Sequence, residues 1–121
     1  MSALRSFLML ATVLIFAITI LVVMEMGVNW PAVFFGDLVA MNWRSQFNAD
    51  FLIHLVLLAT WVSWREGHGV KGVVFGFLSI VMGGMFGFPY ILWATYQAKG
   101  DPRAMLLGIH ADRFGGATAA T

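Results

Sequence analysis

The sequence predicts an all-α integral membrane bundle of three transmembrane helices, with a short interfacial helix between the first and second. Three observations lead there. Hydrophobic residues make up 60% of the 121 residues and charged residues 11%, with a mean hydropathy of +0.85. A soluble fold of that composition would leave its apolar surface uncovered. Apolar stretches dominate the chain, and most charges fall in the short intervals between them. Those stretches approach the roughly 20 residues that a helix needs to cross a hydrocarbon core about 30 Å thick. A single membrane domain over 1–121 is the expected organisation.

The first span is expected over about 6–26. Phe7 to Met24 contains no charge, and the hydroxyls of Thr12 and Thr19 can bond the preceding helical turn. Arg5 before an apolar run resembles a secretory signal, but the run exceeds a typical signal core and leads into Glu25-Met26-Gly27, not a small-residue cleavage site. The segment is expected to be retained.

The interfacial helix is expected over about 30–41. Asn29 suits a cap, Pro31 suits a first turn, and Trp30, Val33, Phe34, Leu38 and Met41 fall near one face. Trp30 and Trp43 would mark an aromatic belt, with Asp37 toward headgroups and Arg44 placed to snorkel.

A second span follows over about 47–64, closed by Arg65 and Glu66. The third is expected over about 72–97, after the turn Gly67-His68-Gly69 and Lys71, and it is uncharged throughout. At about 1.5 Å per residue it is longer than a bilayer is thick, so tilt or a kink at Pro89 must absorb the excess. Asp101-Pro102 then reads as the cap of a surface turn, and 109–121 as a flexible tail.

A formal net charge of +1 with no Lys/Arg cluster excludes a nucleic-acid partner. The absence of cysteine removes disulfides, thiolate zinc, iron–sulfur ligation and cysteine nucleophiles. With three spans, Arg5, Arg65 and Lys71 fall on one side, and Arg44, Lys99, Arg103 and Arg113 on the other. Such a balance gives no orientation.

Asp50, His54, Trp61 and Arg65 follow one another at intervals of four, seven and four residues. At 100° per residue they share one helical face, expected to point into the bundle because a charge at membrane depth is costly. Asp50 and His54 are the candidate catalytic residues. One reading makes them a structural pair one turn apart; another makes them a proton-handling or ligand-binding pair, since a carboxylate fixes an imidazole's tautomer. A metal site is not expected, because a third ligand would have to come from Glu25, Asp37 or His68. Arg65, Glu66 and Trp61 are candidates for holding an anionic headgroup, although a helix end also suits snorkelling anchors. In the third span Gly72, Gly76, Ser79, Gly83 and Gly87 recur at intervals of four, three, four and four. They form a small-residue groove suited to close packing of a helix, or alternatively to a flat isoprenoid or quinone tail.

The run Asn48-Ala49-Asp50-Phe51-Leu52, Trp61, Arg65-Glu66-Gly67 and the later Phe88-Pro89-Tyr90 resembles a family of small bacterial membrane proteins catalogued as a domain of unknown function. The match rests on Asp50, Arg65, Glu66 and Pro89 and covers roughly the C-terminal two-thirds of the chain. It implies a multi-pass protein of the bacterial inner (cytoplasmic) membrane and no particular activity. The expectation is therefore a non-catalytic accessory subunit or oligomer-forming protein, with membrane lipids and other membrane subunits or a second copy as partners. No cofactor is predicted. The alternative is a lipid-, isoprenoid- or quinone-binding protein or enzyme that uses Asp50 and His54; a small transporter ranks below both.

Overall fold

The computed structural model describes residues 1–112, and these are all-α, without a strand. Six helices follow one another: α1 (Ser2–Met26), α2 (Trp30–Val39), α3 (Trp43–Arg65), α4 (Val70–Met82), α5 (Gly84–Gln97) and α6 (Pro102–Leu107). A 3-10 turn at Gly108–His110 closes the set. Two of the helices, α1 and α3, are long and apolar enough to cross a membrane.

The beginning of α3 comes four residues earlier than the sequence suggested. Asn42 and Ser45 form a reciprocal cap, in which the Asn42 side chain accepts from the Ser45 amide at 3.2 Å and the Ser45 hydroxyl accepts from the Asn42 amide at 3.0 Å. Two otherwise unpaired amides are satisfied together, which fixes where the helix starts. Ser45 Oγ also donates to the Asp37 carbonyl at 2.5 Å, tying the end of α2 to α3. By contrast, Asn29 makes no side-chain cap bond at the start of α2. Asp101 does cap α6, accepting from the Arg103 amide at 3.0 Å.

The single helix expected over 72–97 is instead two helices, and the break falls at Gly83, not at Pro89. Gly83 has φ 58° and ψ −129°, a left-handed conformation that L-residues with a Cβ rarely adopt, and Gly84 follows it. The chain reverses there. Phe75 on α4 meets Phe86 and Tyr90 on α5, with ring centroids 5.4 and 5.7 Å away. Lys71 at the start of α4 lies 5.2 Å from the ring of Trp93 near the end of α5. These pairs fix an antiparallel hairpin. Pro89 stays inside α5.

The main contacts run in a row, α2 on α3, α3 on α4, α4 on α5 and α5 on α1. The small-residue face of α4 lies on α3. A Cβ on Gly72 would stand 2.9 Å from the Ser63 carbonyl oxygen, and one on Gly76 3.3 Å from that of Ala59. Ser79 is fully buried. Gly83 sits against Phe51 and Leu55, and Gly87 against Leu58. On the other side of the hairpin, Phe88 faces Phe7 to Ile18 of α1, and Arg5 reaches Thr95. Past that level the last turns of α1, 20–26, are exposed all round. The tail expected over 109–121 is helical as far as 112, and from 113 it lies outside the described residues.

Candidate functional site

The buried polar centre is built on Arg65, the last residue of α3, which is only 1% exposed. Its guanidinium uses every edge. Nε donates to the Met105 carbonyl at 2.6 Å, Nη1 to Glu66 Oε1 at 3.0 Å and to the Tyr90 hydroxyl at 3.1 Å, and Nη2 to Gln97 Oε1 at 3.0 Å. Tyr90 in turn donates to Glu66 Oε1 at 2.6 Å. Glu66 Oε2 takes Lys71 Nζ at 3.5 Å. A planar fork of five N–H donors suits this convergence of acceptors better than an ammonium would.

Aromatic rings wall the cluster. The Arg65 guanidinium carbon is 5.6 Å from the Tyr90 ring centre and 5.7 Å from that of Trp93. Trp61 meets Tyr90 edge-on at 6.0 Å and donates from Nε1 to the Leu106 carbonyl at 3.0 Å. The ring of His110 stacks on Trp64 at 4.1 Å, and its Nε2 donates to the Trp64 carbonyl at 2.8 Å. The backbone of α6 and the turn after it thus cover Arg65. Gly108, at φ 59°, lies so close to the Arg65 side chain and carbonyl that a Cβ there would overlap them. Among the described residues, no buried side-chain nitrogen or oxygen lacks a hydrogen-bond partner. The arrangement is an electrostatic clasp joining α3, α4, α5 and α6.

Of the residues singled out in the sequence, Trp61, Arg65 and Glu66 come together here. Asp50 and His54 do not: their side chains are 59% and 68% exposed and lie on the outside of α3. His54 Nδ1 donates to the Asp50 carbonyl at 2.8 Å and lies 3.4 Å from Asp50 Oδ1. The four-residue stripe therefore does not point inward as a unit. Helices α4, α5 and α6 gather at the Arg65 end, and the Asp50 and His54 side chains are left exposed among the described residues. Tyr90, Gln97 and Lys71 complete the site without having been anticipated. Tyr90 and Gln97 are seven residues apart on α5, a same-face interval in an otherwise uncharged run, which is the signal that marks them.

A separate apolar cavity of about 230 Å³ lies at the hairpin tip, between Trp30 and Phe34 of α2, Phe51 and Leu55 of α3, and Ile80 to Gly83. Neither Asp50 nor His54 lines it. No group of three or more His, Asp or Glu side chains among the described residues is placed to hold a metal. Comparisons with family models, curated proteins and solved structures return no match.

Proposed function

We propose that the chain is a non-catalytic membrane protein of the bacterial cytoplasmic membrane that serves as an accessory subunit or self-assembling element. The observation that carries this reading is the internal pairing of the polar cluster. Arg65, Glu66, Tyr90 and Gln97 bond one another, while Asp50 and His54 are exposed and do not line the cavity at the hairpin tip. Such a cluster holds helices together, with the Arg65 guanidinium engaged throughout by groups of the chain itself.

On this reading α1 and α3 cross the bilayer, and the α4–α5 hairpin enters and returns on one side. The 13 residues of α4 reach roughly 20 Å at 1.5 Å per residue, short of the ~30 Å hydrocarbon core. Backbone that turns at membrane depth is tolerated where it is covered by protein, as Gly83 is by Phe51 and Leu55. Reversal of the hairpin also sorts the charges. Arg5, Arg65, Lys71, Lys99 and Arg103 come to one end, and among the described residues only Arg44 is left as a cation at the other. The positive-inside rule then places both the Arg5 end of α1 and helix α6 in the cytoplasm.

Because the chain has no cysteine, single introduced cysteines report directly. Met41→Cys, at an 86% exposed position, should react with an impermeant maleimide on intact spheroplasts. Ser2→Cys and Leu106→Cys should react only after permeabilisation. Labelling of Leu106→Cys from the same side as Met41→Cys would mean that α4 and α5 cross as one span. Purification in mild detergent should retain a second subunit or copy; a strictly monomeric, partner-free chain would remove the assembly role.

The cavity at the hairpin tip favours a second reading, a binder of a lipid, isoprenoid or quinone tail, since its walls are almost wholly apolar and aromatic. Mass spectrometry of small molecules that copurify, with Phe34→Ala and Leu55→Ala as controls, separates the two.

A further inference from the structure

Two residues of the cationic end, Arg5 and Lys99, take no part in the Arg65 clasp. Arg5 on α1 donates from Nε to Thr95 Oγ1 at 3.1 Å and from Nη2 to the Thr95 carbonyl at 3.0 Å. Its guanidinium carbon lies over the Tyr96 ring, 4.0 Å from the centre. Nη1 takes part in neither bond. Lys99 follows in a left-handed turn, φ 53°, completed by Gly100. A Cβ on Gly100 would stand 3.9 Å from Arg5 Nη2, so the turn that carries Lys99 is wrapped against the guanidinium. Neither Arg5 nor Lys99 has a carboxylate partner among the described residues, whereas Arg65 and Lys71 share Glu66 and Arg44 has Asp37.

We propose that Arg5 and Lys99 bind the phosphate of an anionic phospholipid in the cytoplasmic leaflet. Arg5 is held by Thr95 and Tyr96 in one direction, so a planar donor edge is presented without further loss of side-chain freedom. Lys99, exposed and next to the Gly100 that touches Arg5, supplies a second charge. Tyr96, 53% exposed and in contact with the Arg5 guanidinium, adds an amphipathic ring of the kind that settles at headgroup level. A net-negative headgroup fits two unopposed cations, and a zwitterionic one brings its own ammonium into conflict with them.

The inference rests on the membrane reading above. The full chain in detergent is titrated, by native mass spectrometry, with dioleoyl phosphatidylglycerol, with dioleoyl phosphatidylcholine and with inorganic phosphate. Phosphatidylglycerol should bind at least about tenfold more tightly than phosphatidylcholine. Lys99→Gln, on an exposed side chain, should weaken that preference about fivefold, the effect of one cation near an anionic surface. Arg5→Lys should retain part of it and Arg5→Gln the least. Equal binding of the two lipids, an unchanged preference in Lys99→Gln and Arg5→Gln, or displacement of phosphatidylglycerol by micromolar inorganic phosphate would each overturn the assignment. Release of the chain from membranes by alkaline carbonate would instead overturn the membrane reading itself, so the two failures are distinct.

Discussion

Arg65 donates to the backbone carbonyl of Met105, forty residues further on, at 2.6 Å, and through that bond helix α6 is clamped over the end of α3. The clasp holds because Glu66 supplies the opposite charge and Tyr90 bridges the two. Removing the guanidinium would leave a carboxylate that is itself about 5% exposed with only the more distant Lys71 ammonium as its counter-charge. Breaking a buried pair from one side costs about 3–5 kcal/mol. Arg65→Ala is therefore expected to unfold or strongly destabilise the protein in detergent, and Arg65→Lys to recover only part of the loss. Differential scanning fluorimetry reads this, and a melting temperature within a degree of wild type would reject the clasp.

Tyr90→Phe tests the same network with the ring retained. The phenol donates to Glu66 and accepts from Arg65, so the variant loses one charge-assisted donor while packing against Phe86 and Trp93 persists. A loss of about 1–3 kcal/mol is expected. Gln97→Leu, which leaves Nη2 without its acceptor, should cost a similar amount, and the double variant should fall short of the sum because both act on one guanidinium.

Gly76→Leu should separate α4 from α3. A Cβ there already stands 3.3 Å from the Ala59 carbonyl oxygen, which is rigid helix backbone, and three further carbons have nowhere to go. Overpacking of this kind costs about 1–3 kcal/mol or more. Gly36→Leu, at a position open on all sides, is the control and should be near neutral. Equal melting temperatures for the two variants would contradict the α3–α4 contact.

Asp50→Asn and His54→Gln should leave stability almost unchanged. Exposed ion pairs contribute about 0–1 kcal/mol, and these two side chains are more than half exposed. A loss above about 1.5 kcal/mol in either variant would contradict the exposure of this face of α3.

The helical class was legible because long apolar runs broken by short charged intervals suit helices that satisfy their own backbone groups. Period alone placed Trp61 and Arg65 on one face of α3. The same period misplaced Asp50 and His54, since a shared face says nothing about how much of that face a short neighbouring helix can cover. The hairpin was hidden for a related reason. Composition over 72–97 is uniformly apolar, and the decisive feature is one backbone conformation at Gly83. Glycine at a helical interval is equally compatible with a groove and with a reversal, and Pro89, the more conspicuous breaker, sits in α5 without ending it. Once the reversal is known, the charge distribution changes from balanced to one-sided.

Gly83→Ala puts the hairpin itself to the test. Alanine at φ 58° carries a strain of about 1–3 kcal/mol, and its Cβ would press on Phe51 at 3.3 Å. Two responses compete: the reversal survives under strain, or α4 and α5 straighten into one spanning helix. Straightening would carry Lys99 and Arg103 to the far side of the membrane and pull Tyr90 and Gln97 away from Arg65, leaving that guanidinium buried without its acceptors. Those losses exceed the strain at one residue, so the hairpin should persist. The expected outcome is a melting temperature lowered by several degrees together with an unchanged labelling pattern, Leu106→Cys protected in intact spheroplasts. Wild-type stability, or exposure of Leu106→Cys to the outside in the Gly83→Ala background, would show that the reversal does not depend on Gly83 or that the clasp is weaker than the strain.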